Sequence, residues 1–218
     1  MSEWFTRSRS GDARDAVDGG LDRLLTLTRG QLVTRAAVGA GAVTAVGVVA
    51  GGLPRLAASE PSREQDRSIL EWLLRVEYVQ AAFYDAVERG GALQGEPREY
   101  AARVGRHERA HVEALRSELG PDAPERPEFD FGDATSDPDR FVETAVALEE
   151  LAVAALNGQI PNLTRPRVMT AMRIVSVEAR HVGWVRDLAG RNPAPQPADR
   201  AATQDETRAA LQATGFKE

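Results

Sequence analysis

The stretch His107-Glu108-Arg109-Ala110-His111 decides how this chain folds, because its last four residues, Glu-x-x-His, return as Glu178-Ala179-Arg180-His181. On a helix, residues three apart lie on one face, so each pair sets a carboxylate beside an imidazole. Two of the three histidines in the chain are spent in this way. That donor pair suits a divalent metal, and its repetition calls for two helices that bring the pairs together.

Around the first pair, Tyr100, Val104, Glu108, His111, Leu115 and Leu119 recur at helical spacing. They predict a helix from Glu96-Pro97 to Leu119-Gly120 whose inner face carries Glu108 and His111, with His107 directed elsewhere. Around the second pair, Ala171, Ile174, Glu178, His181, Val182, Val185 and Leu188 line the inner face of a helix ending at Ala189-Gly190. Each of these helices is preceded by another with one carboxylate in its apolar stripe. Glu77 stands among Leu70, Leu73, Leu74, Ala81, Tyr84 and Val87, in a helix opened by Pro61, Ser62 and Glu64 and running to about Glu88. Glu149 stands among Val142, Ala145, Ala152, Val153 and Leu156, in a helix from Ser136-Asp137-Pro138 to about Asn157-Gly158.

A carboxylate in a core-facing stripe is costly unless it meets a cation, a metal or strong donors. For Glu77 alone, an arginine such as Arg180 would serve as well as a metal. Glu150 lies about 100° round the helix from Glu149, so the stripe favours Glu149 without fixing the helix rotation. The halves match: thirty-one residues separate Glu77 from Glu108, and twenty-nine separate Glu149 from Glu178.

The connections complete the fold class. Residues 90–95 allow only an antiparallel hairpin, whereas residues 120–136, with Pro121, Pro124 and Pro127, form a long irregular link. That link reaches roughly 55–60 Å when extended, enough to cross a 25-residue helix of about 37 Å. The prediction is an all-α four-helix bundle with one long crossover between the second and third helices, the wiring of ferritin-like bundles. It spans residues 59–190 and is followed by a proline-rich linker and a short helix within residues 191–218.

Residues 1–58 read as a leader. Thr28-Arg29-Gly30-Gln31-Leu32 and Arg35 precede residues 36–53, which carry no charge and consist mostly of Ala, Gly and Val, and Ala57-Ala58 follow. Basic flank, apolar run and small residues are the order of an export signal. The flank resembles a twin-arginine (Tat) signal with Gly30 in place of the second arginine. An apolar run of this length is also just sufficient for a weak membrane anchor. The expected location is therefore exported, periplasmic or extracytoplasmic, or anchored to the plasma membrane through residues 36–53.

Composition narrows the chemistry. The chain has no cysteine, which excludes disulfides, thiolate zinc sites and cysteine-ligated iron–sulfur clusters. Its 27 basic and 33 acidic side chains give a formal charge of −6 and no basic footprint for nucleic acid.

Residues 68–86, residues 106–115 and Val177-Glu178-Ala179-Arg180-His181 resemble the bacterial ferritin-like domain proteins related to plant desiccation-induced proteins. The similarity covers roughly residues 66–190. It implies a carboxylate-bridged centre of two iron ions, with manganese as the other candidate, held by Glu77, Glu108, His111, Glu149, Glu178 and His181. Tyr84, His107 and Glu150 are the neighbours expected to orient those ligands. Tyr84 stands out because it lies seven residues after Glu77 on the same stripe; Tyr78 and Trp184 are further aromatic candidates near an iron site. The expected activity is oxidation of ferrous iron by oxygen or peroxide, and the alternative is a stress-associated module without turnover. A remoter alternative is a zinc peptidase, since His107-Glu108-x-x-His111 spells that motif, but it leaves the second Glu-x-x-His unexplained.

Overall fold

A computed structural model describes residues 61–214. The leader expected from the sequence over residues 1–58, with its Tat-like flank and apolar run, lies outside the described residues. Among the described residues the regular elements are five α-helices and three short 3-10 turns: α1 (Arg63–Gly90), α2 (Gly95–Leu119), α3 (Pro138–Gln159), α4 (Arg165–Leu188) and α5 (Gln204–Ala213). No described helix is long and apolar enough to cross a membrane.

The helix ends follow local chemistry. The Ser62 hydroxyl accepts from the Gln65 amide at 3.2 Å to start α1, and Gly91, at φ 62°, ends it with its amide on the Val87 carbonyl. Asp137 caps α3 by accepting from the Arg140 amide at 2.9 Å, with Pro138 in the first turn. Thr164 starts α4 with no cap from its own side chain. Buried Asp66 of α1 supplies the acceptors instead, taking the Thr164 amide at 2.7 Å and its hydroxyl at 2.5 Å.

α1 packs along α2 and α3 along α4, and the two hairpins meet through α1–α3 and α2–α4. The crossover between α2 and α3 is tied down on its way. The Tyr78 hydroxyl donates to the Pro124 carbonyl at 2.8 Å, Arg126 pairs with Asp85 at 2.8 Å, and Phe131 is buried. The four-helix wiring with one long crossover is thus as the spacing predicts.

The core comes in two parts, and the same break occurs in every bundle helix. One part contains Leu70, Leu73, Leu74, Leu115, Leu156 and Ile174; the other contains Phe83, Tyr100, Val104, Phe141, Leu148 and Val185. Between them fall Glu77 on α1, Glu108 and His111 on α2, Glu149 on α3, and Glu178 and His181 on α4. The polar layer is therefore sealed by apolar packing on both sides.

The sequence ends the third helix near Asn157-Gly158, but α3 runs on to Gln159 and takes Gly158 inside it. A side chain at Gly158 would overlap the backbone of Ala202, whose amide bonds the Ala154 carbonyl at 2.9 Å. Gly158 is there so that the segment leading into α5 can lie against α3. Gly158→Ala should lift that segment off at a cost of about 1–3 kcal/mol, the usual penalty for overpacking. Limited proteolysis should then cut within residues 191–214 much faster than in the parent protein, and unchanged resistance would refute this account of the glycine.

Candidate metal centre

Six side chains meet in the polar layer: four carboxylates and two imidazoles. Glu108, Glu149 and Glu178 have no exposure, Glu77 has 1%, and His111 and His181 have 8% and 4%. Their ligand atoms form two quartets, Glu77, Glu108, His111 and Glu178 in one, Glu108, Glu149, Glu178 and His181 in the other. Glu108 and Glu178 belong to both. Each quartet thus draws one carboxylate from a lone-acid helix, one imidazole, and the two shared carboxylates of the paired motifs.

Hydrogen bonding within the protein does not account for the convergence. Nδ1 of His111 lies 2.8 Å from a Glu178 oxygen and 3.3 Å from oxygens of both Glu77 and Glu108. A ring nitrogen carries at most one hydrogen, so it can serve one of the three. Nδ1 of His181 is likewise 3.1 Å from Glu108, 3.2 Å from Glu149 and 3.6 Å from Glu178. Both oxygens of Glu77 and of Glu178, one each of Glu108 and Glu149, and Nδ1 of His181 are buried without a hydrogen-bond partner. Buried orphans of this kind are rare, and these seven belong to residues of the two quartets. Hard oxygen donors with one imidazole each fit a divalent ion in each quartet, with four negative charges against two dications.

Without metal, protons hold the site together. Burial opposes charge on both imidazoles, but the surrounding carboxylates prevail: His111 is pushed well above its usual range by Glu108, Glu178 and Glu77, and His181 is pushed up to about 12 by Glu108, Glu149 and Glu178. Glu178 is buried too, yet the two imidazoles that face it, His111 and His181, outweigh burial and hold it below the usual carboxylate range. Burial and the negative charge of Glu178 raise Glu77 and Glu108, and they bring Glu149 up to about 7.

The neighbours of the six residues fall out unevenly. The Tyr84 hydroxyl donates to Glu149 at 2.5 Å, where burial and the Glu149 charge keep it protonated. His107, which the helical pattern directs elsewhere, instead reaches across to α4, its Nδ1 2.8 Å from Nε2 of His181 with the rings stacked. Glu150 does not join the site: it points outward to Arg186 at 2.8 Å. Glu77 faces His111, while Arg180, its alternative partner in the sequence, is exposed. Tyr78 is taken by the crossover, and Trp184 packs edge-on against Tyr100 at 5.0 Å. Tyr100 itself, read from the sequence only as core, donates to the His181 carbonyl at 3.4 Å; its place two turns before Glu108 on the inner stripe was the available signal.

His107 belongs to neither quartet, so the two histidines of the peptidase-like motif do not converge on one ion. Over the imidazoles lies a cavity of about 620 Å³ lined by Arg103, His107, His111, Arg180, His181 and Trp184. It is the described opening whose walls include residues of the centre.

A four-helix bundle whose lone-acid and Glu-x-x-His helices alternate around such a layer defines the class of helical carboxylate di-metal proteins. The chain belongs to the ferritin-like domain family, whose sequence model matches residues 65–191. No curated protein matches the chain.

Proposed function

We propose that this is an exported or membrane-tethered ferritin-like protein whose six-residue centre takes two iron ions and oxidises ferrous iron with oxygen or peroxide. The observation that carries the reading is the pair of quartets sharing Glu108 and Glu178, with their buried oxygens unpartnered. Export rests on the order of Arg29, Arg35, the apolar residues 36–53 and Ala57-Ala58.

In this reading Glu108 and Glu178, common to both quartets, would bridge or chelate the ions, His111 and His181 would each hold one, and Glu77 and Glu149 would complete the two positions. Two ferrous ions give one electron each; dioxygen takes both with two protons to become hydrogen peroxide, or peroxide takes them with two protons to become two waters. Tyr84 fixes the Glu149 carboxylate by its hydrogen bond. The flanking apolar layers keep bulk water from the donors, leaving approach over the histidines. Iron fits the mixed carboxylate and imidazole donors, and manganese fits them as well.

Ferrous ion added without oxygen, followed by oxygen or peroxide, should give oxidation of two irons per chain. Glu108→Ala, which removes a donor common to both positions, should lower the rate at least 100-fold. Protein that holds two ferrous ions and leaves both reduced in either oxidant would refute the activity and leave a metal-carrying module.

A further inference from the structure

The two Glu-x-x-His motifs differ at one telling position. Four residues before His111 stands His107, and four residues before His181 stands Val177. Both lie beside the imidazoles, in the wall of the same cavity. His107 reaches from α2 to α4, and its Nδ1 meets Nε2 of His181 at 2.8 Å. The matching position on α4 is a valine side chain, which can neither donate nor accept. The near-duplicate halves are thus broken at the outer nitrogen of one histidine.

The direction of the hydrogen bond follows from what the other side of His181 faces. Nδ1 of His181 is turned toward Glu108, Glu149 and Glu178, so it is the atom available to an ion there. A ligating Nδ1 carries no proton, which leaves the ring hydrogen on Nε2, and Nε2 must donate. Nδ1 of His107 is the acceptor, and the His107 hydrogen sits on its own Nε2. An acceptor behind a metal-bound imidazole fixes its tautomer and ring angle and strengthens it as a donor.

We infer that His107 is a positioning residue that holds His181 ready for metal and makes the two metal positions unequal, the one at His181 binding the tighter. The inference rests on the di-metal reading above. It also gives the first histidine of residues 107–111 a part in the chemistry that is not that of a ligand.

Cobaltous ion titrated without oxygen into the full chain, followed by absorption and calorimetry, tests it. The parent protein should bind two ions in separable steps. His107→Leu should weaken the tighter step about 10–100-fold, the usual effect of losing such a partner, and leave the other within about twofold. His107→Asn should restore the parent behaviour, because its Oδ1 is attached where Nδ1 of histidine is and accepts the same hydrogen. His107 is exposed on α2, so neither change disturbs the core. Two normal steps in the leucine variant, or an asparagine variant as weak as the leucine one, overturn the role of His107 while leaving the centre intact. A parent protein that takes up no cobalt overturns the metal reading and this inference with it.

Discussion

Glu178→Ala is expected to abolish both metal positions at once and to destabilise the metal-free protein by about 3–5 kcal/mol, the cost of stripping one partner from a buried charge pair. Glu178 is the most committed carboxylate of the six. It belongs to both quartets, has no exposure, and lies 2.8 Å from His111 and 3.6 Å from His181. Its carboxyl is held in the charged form by those two rings, whereas its three companions are all raised. Removing it takes a ligand from each ion and the principal counter-charge from two buried imidazoles.

Elemental analysis should find metal falling from two per chain to none, and the melting temperature of the metal-free form should drop by roughly 10 °C. Glu178→Gln separates the two effects. It keeps the volume and a hydrogen-bonding end, so it should lose the metals but less of the stability. Glu150→Gln is the control on the neighbouring helix: it touches only an outward arginine, and its metal content should equal that of the parent. Two firmly bound ions in Glu178→Ala would remove the shared-ligand arrangement from consideration.

Glu149 and Glu150 show what sequence periodicity resolves and where it stops. A stripe of apolar residues selects Glu149, but a rotation of α3 by one position would select its neighbour. The buried Tyr84 hydroxyl on Glu149 and the Arg186 guanidinium on Glu150 fix the rotation, and both come from other helices. The helix ends were legible because Ser62, Gly91 and Asp137 act within a few residues of themselves. Asp66 was not, since its acceptors serve a helix start 98 residues away. His107 lies at the border of the inner face, where a helical wheel cannot say which neighbour it meets. That α4 meets it, and meets it at His181, is a fact of the packing. Gly158 carried no signal for the same reason: its partner is a backbone that arrives from beyond α4.

The gap between the melting temperatures of metal-loaded and metal-free protein should widen as pH rises from about 5.5 to 8. In the metal-free form, protons occupy the site. His181, folded at about 12 against 6.5, contributes stability that is complete below pH 6.5 and lost as pH climbs toward 12; His111 is displaced in the same direction. Glu149, folded at about 7 against 4.5, contributes stability that is complete below pH 4.5 and lost as pH rises through 7. Glu178 runs the other way, but its contribution is already complete above pH 4.5 and does not change within the window. The metal-free fold therefore weakens through the neutral range. Metal needs bare Nδ1 atoms and charged carboxylates, so binding must expel at least the two imidazole protons, and affinity should rise up to about 100-fold per pH unit. At about 1.4 kcal/mol per proton per pH unit, two protons add roughly 3 kcal/mol for each unit to the stabilisation that metal confers, and the melting temperatures part accordingly. Calorimetric titration with manganous ion in buffers of different ionisation enthalpy counts those protons directly. A release of two or more at pH 7 is the expected result, and binding with no proton release would mean that the ions sit somewhere other than between His111 and His181.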